Sequence, residues 1–244
     1  MRELESEKRL NDIKHSIETA TGESYNDLTE AVNGSIDKAK EAEDWKNHFS
    51  NVFCARNSNM GAIFKGYTGT KAPKFDVSQY KTIEGMYCEA ANLESIDFYL
   101  NYNGNSIYQL CQNTPKLKFI KGVKTSNTTF ISNAFYGCGV EEIEVPFDFS
   151  KVTTANNPFY GCYNLIKILF ISETIPVSLS FAYSPLLSNE SKQSIFDGLA
   201  IVTTAQTVTF HKDVKLLQSQ IDSANAKGWT VAGGTVVSEE EYYG

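Results

Sequence analysis

Apolar residues recur from about residue 75 onward with a 24-residue period, as from Ile83 to Ile107. The segment Phe75-Asp76-Val77-Ser78 returns three periods later as Phe147-Asp148-Phe149-Ser150. The columns are Ile83, Ile107, Ile131, Ala155 and Leu179; Met86, Leu110, Ala134, Pro158 and Ala182; and Tyr87, Cys111, Phe135, Phe159 and Tyr183. Because one short turn cannot bury its apolar side alone, parallel columns with one period predict a coil of five stacked turns.

The same phase places one short strand in each turn, and neighbouring strands are expected to pair in parallel. The predicted strands span residues 93–98, 117–122, 140–145 and 165–170. Side chains that point outward from these strands form one face, which carries Glu94, Lys118, Glu141 and Lys167. Any binding function of the coil is expected on that face or beside it.

Two narrow apolar stripes precede the repeats and predict a pair of helices. The stripes are Leu10, Ile13 and Ile17, then Leu28, Val32 and Ile36, separated by the break Thr21-Gly22-Glu23-Ser24. The helices can bury these stripes against each other, against the rest of the chain or in a bundle with other chains. Because so few apolar side chains do not stabilise about 40 residues alone, we expect these six residues to mediate self-association or attachment to another protein.

The chain divides into a helical segment over residues 1–54, a glycine-rich linker over 55–74, the repeats over 75–187 and a cap over 188–244. In the cap, Ser188 is placed to begin a helix through Leu199, followed by a strand over residues 207–210. A second helix is predicted over residues 213–226, ending before Gly228. We expect these elements to cover the open end of the sheet, whose edge would otherwise expose unpaired backbone groups.

Charge is distributed unevenly along the chain. The helical segment, 1–54, contains 12 acidic and 7 basic side chains, so most of the net charge of -7 lies there. Nucleic acid is not the expected partner, because binding phosphates requires clustered lysine and arginine. No apolar run approaches the roughly 20 residues that span a bilayer, so membrane insertion is not expected. The charged start of the sequence does not resemble a secretory signal.

No catalytic constellation emerges from the polar residues. The five cysteines are odd in number and form no CxxC pair, so we expect reduced thiols rather than a zinc site or a disulfide framework. His15, His48 and His211 lie in different segments, without metal-ligand spacing. The sequence therefore predicts a protein that is not an enzyme and that uses no metal and no cofactor.

Two repeats carry a recognisable motif. Phe135-Tyr136-Gly137-Cys138 and the segment from Phe159 through Ile168 resemble the BspA-like leucine-rich repeats, whose pattern is F-x-G-C-x-x-L-x-x-I. The tail over residues 188–231 is similar to the ending of BspA-like proteins encoded by bacteriophages of gut Gram-positive bacteria. The resemblance implies an α+β fold class: a short leucine-rich-repeat solenoid with a parallel sheet, an N-terminal helical hairpin and a C-terminal α/β cap.

The N-terminal segment carries a second resemblance. Residues 10–22 and 28–32 are similar to a short motif, L-x-x-I-x-x-A-I-x-x-K-T-G, near the start of many phage virion proteins; Ser16 and Ala20 depart from it. Together the two resemblances imply a phage structural protein that assembles in the host cytoplasm and resides in the virion. Other virion proteins and further copies of the chain would be its partners.

Three functions are compatible with this picture. In the first, the repeat face binds a host cell-surface glycan or protein through ring stacking and amide hydrogen bonds, using Tyr99, Asn101, Tyr102, Asn103 and Tyr108. In the second, the chain decorates or connects parts of the particle without touching the host. In the third, which the missing signal disfavours, it is a bacterial surface adhesin.

Overall fold

The computed structural model describes residues 61–72, 74, 77–78 and 80–244. The chain divides into two units, Met1–Ala55 and Arg56–Gly244, and all of the described residues belong to the second. The predicted helical stripes lie outside the described residues, and with them the attachment residues Leu10, Ile13, Ile17, Leu28, Val32 and Ile36. Those assignments therefore stay predictions.

The described part of the chain is mixed α/β, with short, open, parallel sheets and few helices. In chain order its strands are β1 (Ser95–Leu100), β2 (Phe119–Val123), β3 (Glu142–Ile143), β4 (Leu179–Phe181), β5 (Gln206–Phe210), β6 (Lys215–Leu216), β7 (Trp229–Ala232) and β8 (Thr235–Val236). Its helices are α1 (Asn189–Gly198), α2 (Gln218–Ala226) and α3 (Glu239–Tyr243). The sheets have the orders β1-β2-β3, β4-β5-β7 and β6-β8, and neighbouring strands in each of them run parallel.

Partners in the first sheet lie about one repeat apart along the chain. Ser95 pairs with Phe119, and Phe119 pairs with Glu142. Isolated parallel bridges extend this line to Lys71 on one side and Lys167 on the other. A second line of bridges joins Ser106, Phe130 and Thr154, each one full period after the last. Successive segments of one period therefore pair side by side, as the repeat predicts.

The strands of the first sheet are displaced from their predicted ranges. β1 and β2 begin two residues later than predicted, and β3 is only two residues long. Over residues 165–170 the chain makes isolated bridges at Lys167 and Phe170 instead of a strand. The apolar columns mark core-facing residues, whereas strand bounds depend on backbone pairing, which a register shift between Ile96 and Tyr99 interrupts.

Sharp turns between the strands use two columns of left-handed residues. One column is Gly85, Gln109, Asn133 and Asn157, and the other is Glu89, Asn113, Gly137 and Gly161, all with φ between 52° and 75°. In the first three turns their N–H groups bond to the next turn, as from Asn113 N to Tyr136 O at 2.8 Å. Glycine and asparagine adopt this conformation at low cost, which accounts for their recurrence.

The core is a column of aromatic rings that runs through the later turns. Phe135 stacks on Phe159 with centroids 5.7 Å apart, and Phe159 stacks on Phe181 at 5.2 Å. Phe181 in turn faces Phe210 at 6.2 Å. All four rings are buried. Cys88, Cys111, Cys138 and Cys162 are free and buried in this core, which confirms reduced thiols for the cysteines among the described residues.

The fifth turn departs from the predicted spacing. Phe181, which follows Phe159 by less than one period, takes the core position that the column assigned to Tyr183. Tyr183 and Ala182 are partly exposed, so their predicted core positions are wrong. The change of register accompanies the pairing of β4 with β5, in which Leu179 lies opposite Val208, more than one period later in the chain.

The cap contains the predicted elements, with one exception. Helix α1 begins after Ser188, whose side chain accepts a hydrogen bond from Ser191 N, and β5 covers the predicted strand. Helix α2 begins at Gln218 rather than at residue 213. Val214 and Leu216 are buried and Lys215 is exposed, an alternation that suits a strand, and β6 forms there.

Helix α1 packs beside residues 166–170, which follow β3 at the edge of the first sheet. Serine hydroxyls of α1 make the hydrogen bonds to this backbone that a further strand would make. Ser191 Oγ accepts a hydrogen bond from Ile168 N and donates one to Ile166 O, both at 3.0 Å. Ser194 Oγ accepts from Phe170 N at 2.8 Å. These bonds hold α1 against the backbone of residues 166–170, beside the first sheet. Among the described residues, no helix is both long and apolar enough to cross a bilayer.

Candidate binding site

The structure removes Tyr102 from the predicted binding face. Its side chain is only 1% exposed, because the ring points into the core. Its hydroxyl donates to Lys81 O at 2.8 Å and accepts from Ser106 N at 3.2 Å. A ring buried in this way offers no surface to a ligand, so the assignment of Tyr102 to host binding is wrong.

The other four predicted residues are not brought together into one site. Tyr99 and Asn101 are exposed near the end of β1. Asn103 is exposed too, but its amide donates to Ser78 O at 3.0 Å and accepts from a lysine. Tyr108 is half-buried against Phe130, with ring centroids 5.5 Å apart. Within this set, Tyr99 keeps a largely open ring and Asn101 an exposed amide.

A different group of tyrosines forms a continuous aromatic surface. Tyr136 stacks on Tyr160 with centroids 4.7 Å apart and an interplanar angle of 8°. Tyr160 contacts Tyr183 at 4.2 Å, and Tyr163 stands at 90° to Tyr183 at 5.8 Å. We call these four residues the tyrosine ladder. The ladder lies across three successive turns.

The local sequence explains why these rings face outward. In Phe135-Tyr136-Gly137 and again in Phe159-Tyr160-Gly161, the phenylalanine is buried and the next residue turns to the opposite side. Each glycine has a positive φ, 64° at Gly137 and 75° at Gly161, which turns the backbone sharply after the tyrosine. The hydrogen bond from Gly137 N to Tyr160 O, at 2.7 Å, sets the rise between the two tyrosines.

An open cleft of about 360 Å³ runs beside the ladder. Its lining comprises Pro115, Tyr136, Gly137, Cys138, Gly139, Tyr160, Gly161, Tyr163 and Asn164. At Gly139 a Cβ would lie 2.0 Å from the carbonyl oxygen of Pro115, so this position accepts only glycine. No described residue that lines the cleft is charged.

The rings differ in what they present to solvent. Tyr160 has neighbours on both ring faces, so its edge and hydroxyl remain for contact with a ligand. Tyr163 is 57% exposed and meets Tyr183 only edge-on, which leaves ring surface open. A hydrogen bond with Tyr160, followed by the charge interaction between the two groups, raises the pKa of Tyr183.

A second groove, of about 440 Å³, lies on the outer face of β2 and β3 and contains charges of both signs. Its charged residues are Lys118, Glu141, Glu142, Lys167 and Glu190. Lys167 forms an ion pair with Glu142 at 3.0 Å, and this contact raises the pKa of Lys167. The groove includes Lys118, Glu141 and Lys167 of the face expected from the sequence. Among the described residues, no three histidine, cysteine or acidic side chains converge as metal ligands.

The tyrosine ladder was missed in the sequence because the period was traced through apolar residues that face the core. The available signal was the repeated Phe-Tyr-Gly triplet, in which the exposed tyrosine adjoins the buried column. Tyr183 gave no such signal, since it follows Tyr160 by slightly less than one period. The chain matches no protein-family model, no curated protein and no solved structure.

Proposed function

We propose that this chain is a structural protein of a bacteriophage particle, attached through its N-terminal helices, whose repeat domain binds the host cell surface. It acts by adhesion and not as an enzyme. In this proposal the repeats form a short BspA-like leucine-rich-repeat solenoid that is displayed outward from the virion.

Backbone pairing supports the repeat assignment. The bridges that join Ser106, Phe130 and Thr154 keep the period of the apolar columns. The two left-handed columns keep the same period through four successive turns. Stacking one supersecondary unit on the next in this way is how a solenoid builds a continuous core.

The tyrosine ladder is the observation that carries the adhesion proposal. In the ladder Tyr163 is exposed and the other three tyrosines are partly exposed. Accessible aromatic rings beside a shallow cleft are typical of binding surfaces, because tyrosine supplies a large contact area at a low cost in conformational entropy. The fold does not require the ladder, since the positions equivalent to Tyr136 in the two preceding turns are Gln112 and Cys88. A column that only held the coil together would be expected in every turn.

Adhesion can be tested with the purified full-length chain and with particles that carry it. The chain should bind cells of the host that the phage infects, and phage carrying Tyr163→Ala should adsorb more slowly than the parent. Phage carrying Tyr243→Ala is the matched control, because Tyr243 is 71% exposed and lies outside both the ladder and the binding residues expected from the sequence. Normal adsorption by the Tyr163→Ala phage would contradict the proposal.

Attachment to the particle is a separate arm of the test. We expect Ile13→Asp or Ile17→Asp in the full chain to prevent its incorporation into particles, because a charge in an apolar stripe opposes helix packing. Ser6→Asp, which introduces the same charge outside the stripes, should leave incorporation unchanged. Particles that incorporate all three variants equally would show that these helices do not attach the chain.

An architectural role is the second candidate, and the charged groove favours it. Mixed charges such as Lys118 and Glu190 suit the polar part of a protein–protein interface, where they set orientation. In that case phage lacking the chain would adsorb normally but assemble or survive poorly. Loss of adsorption with normal assembly would exclude this role.

A further inference from the structure

We infer that the cleft beside the tyrosine ladder binds a neutral polysaccharide, which lies along the stacked turns across Tyr136, Tyr160 and Tyr163. This inference rests on the proposed adhesive function and names the class of its ligand. Three properties of the cleft carry it: its charge, its hydrogen-bonding groups and its open shape.

The charge of the cleft indicates an uncharged ligand. No described lining residue is acidic or basic, although the other groove on this unit has five charged side chains. Polymers that carry phosphates or carboxylates need cationic partners, because these anions lose strong hydration when they bind. An anionic wall polymer would find no such partner here.

The hydrogen-bonding groups of the cleft match a ligand that both donates and accepts. Each tyrosine hydroxyl is at once a donor and an acceptor, and the Asn164 amide offers two donors and an acceptor. A polysaccharide has hydroxyl groups that meet both needs at every sugar. A proline-rich peptide, the other common ligand of aromatic grooves, lacks N–H donors at its prolines and would leave acceptors in the cleft unpaired.

The shape of the cleft favours a chain over a single sugar. The ladder spans three turns, with neighbouring centroids 4.7 and 4.2 Å apart, so the binding groups form a row and not an enclosed pocket. Tyr163 offers open ring surface at the side of the row. Mutual stacking holds the rings in place before the ligand arrives, which lowers the entropic cost of binding.

The experiment measures binding of the full-length chain to immobilised polysaccharides. The probes are neutral glucans, galactans, mannans and rhamnans, with polyglycerol-phosphate, hyaluronan and a polyproline peptide as comparison ligands. We expect at least one neutral polysaccharide to bind, and its monosaccharide to compete weakly. Tyr163→Ala should weaken binding about tenfold, whereas Tyr163→Phe, which keeps the ring, should retain most of it. The double variant Tyr136→Phe/Tyr160→Phe should weaken binding through its missing hydroxyls, and Tyr243→Ala should bind like the parent chain.

The inference is overturned if no neutral polysaccharide binds, if only the anionic polymers or the peptide bind, or if Tyr163→Ala and Tyr243→Ala bind equally well. Its failure is distinguishable from failure of the adhesive function. A chain that binds host cells through Tyr163, but is not displaced by any neutral polysaccharide, would keep the function and refute the ligand. A chain that binds a neutral polysaccharide but is absent from phage particles would confirm the ligand and refute the proposed function.

Discussion

Replacing Ser191 with alanine tests whether helix α1 closes the edge of the first sheet. The Ser191 side chain is fully buried, and its hydroxyl bonds to both Ile168 N and Ile166 O. The carbonyl of Ile166 also accepts from Ser188 N at 2.9 Å, so it keeps a partner in the variant. The N–H of Ile168 would lose its hydroxyl acceptor.

The expected cost follows from that one unpaired group. A buried backbone N–H without a partner costs about 1–3 kcal/mol, and the better helix propensity of alanine returns about 0.5 kcal/mol. We therefore expect Ser191→Ala to lower the free energy of unfolding by roughly 0.5–2.5 kcal/mol. Ser194→Ala should cost less, because its hydroxyl is only partly buried and water can replace it.

Urea unfolding of the full chain, followed by circular dichroism, measures this effect as a lower midpoint at an unchanged slope. The matched control is Ser219→Ala, an exposed serine inside helix α2, which should be neutral or slightly stabilising. If Ser191→Ala and Ser219→Ala unfold at the same urea concentration, the hydroxyl of Ser191 does not satisfy the sheet edge and this account of the cap is refuted.

Three further substitutions probe the core and the cap. Tyr87→Phe should stabilise the chain by about 1 kcal/mol, because the buried Tyr87 hydroxyl has no hydrogen-bond partner among the described residues; a lower unfolding midpoint would contradict this. Phe159→Ala should cost about 3–5 kcal/mol, since the ring is buried between two stacked rings, and a cost no larger than that of the exposed Tyr163→Ala would refute it. Burial, with repulsion from Lys215, lowers the pKa of Lys192 from 10.5 to about 8. Between pH 8 and 10.5 the Lys192 amine is therefore protonated in the unfolded chain but largely neutral in the folded one. The free energy of unfolding should rise with pH across this range, by up to about 3 kcal/mol. Lys192→Met should abolish that rise between pH 7 and 9.5, whereas the exposed Lys212→Met should retain it.

The elements best predicted from the sequence are those with a local chemical signal. Ser188 precedes α1 with a capping hydroxyl, and Gly228, with φ of 89°, ends the segment before β7. The predicted start of α2, at residue 213, is wrong because the composition of residues 213–217 is also compatible with a helix. Their burial alternates instead, and β6 forms because β8, on the far side of α2 and β7 in the chain, supplies its partner. Such a partner is not visible in a local window.

Loss of the period in the fifth turn has a similar cause. The 24-residue columns extend through Leu179 and Tyr183 in the sequence, but β4 pairs with β5, and Leu179 faces Val208. A ring at Phe181 then fills the space above Phe159 better than a tyrosine, whose hydroxyl would be buried there. Packing against the cap, which the repeat pattern does not encode, therefore sets the register of this turn.

The prediction of Tyr102 as a binding residue is wrong for a related physical reason. The sequence shows that Tyr102 adjoins a predicted strand, but the neighbouring turns decide which rings remain exposed. Tyr102 is covered, whereas Tyr163 is open. The column beside the core phenylalanines reads Cys88, Gln112, Tyr136 and Tyr160. Cys88 is buried, whereas the other three side chains are partly exposed, and the column is aromatic only in the later turns. The proposed adhesive surface, which is confined to those turns, would account for tyrosines at positions where the core does not require an aromatic ring.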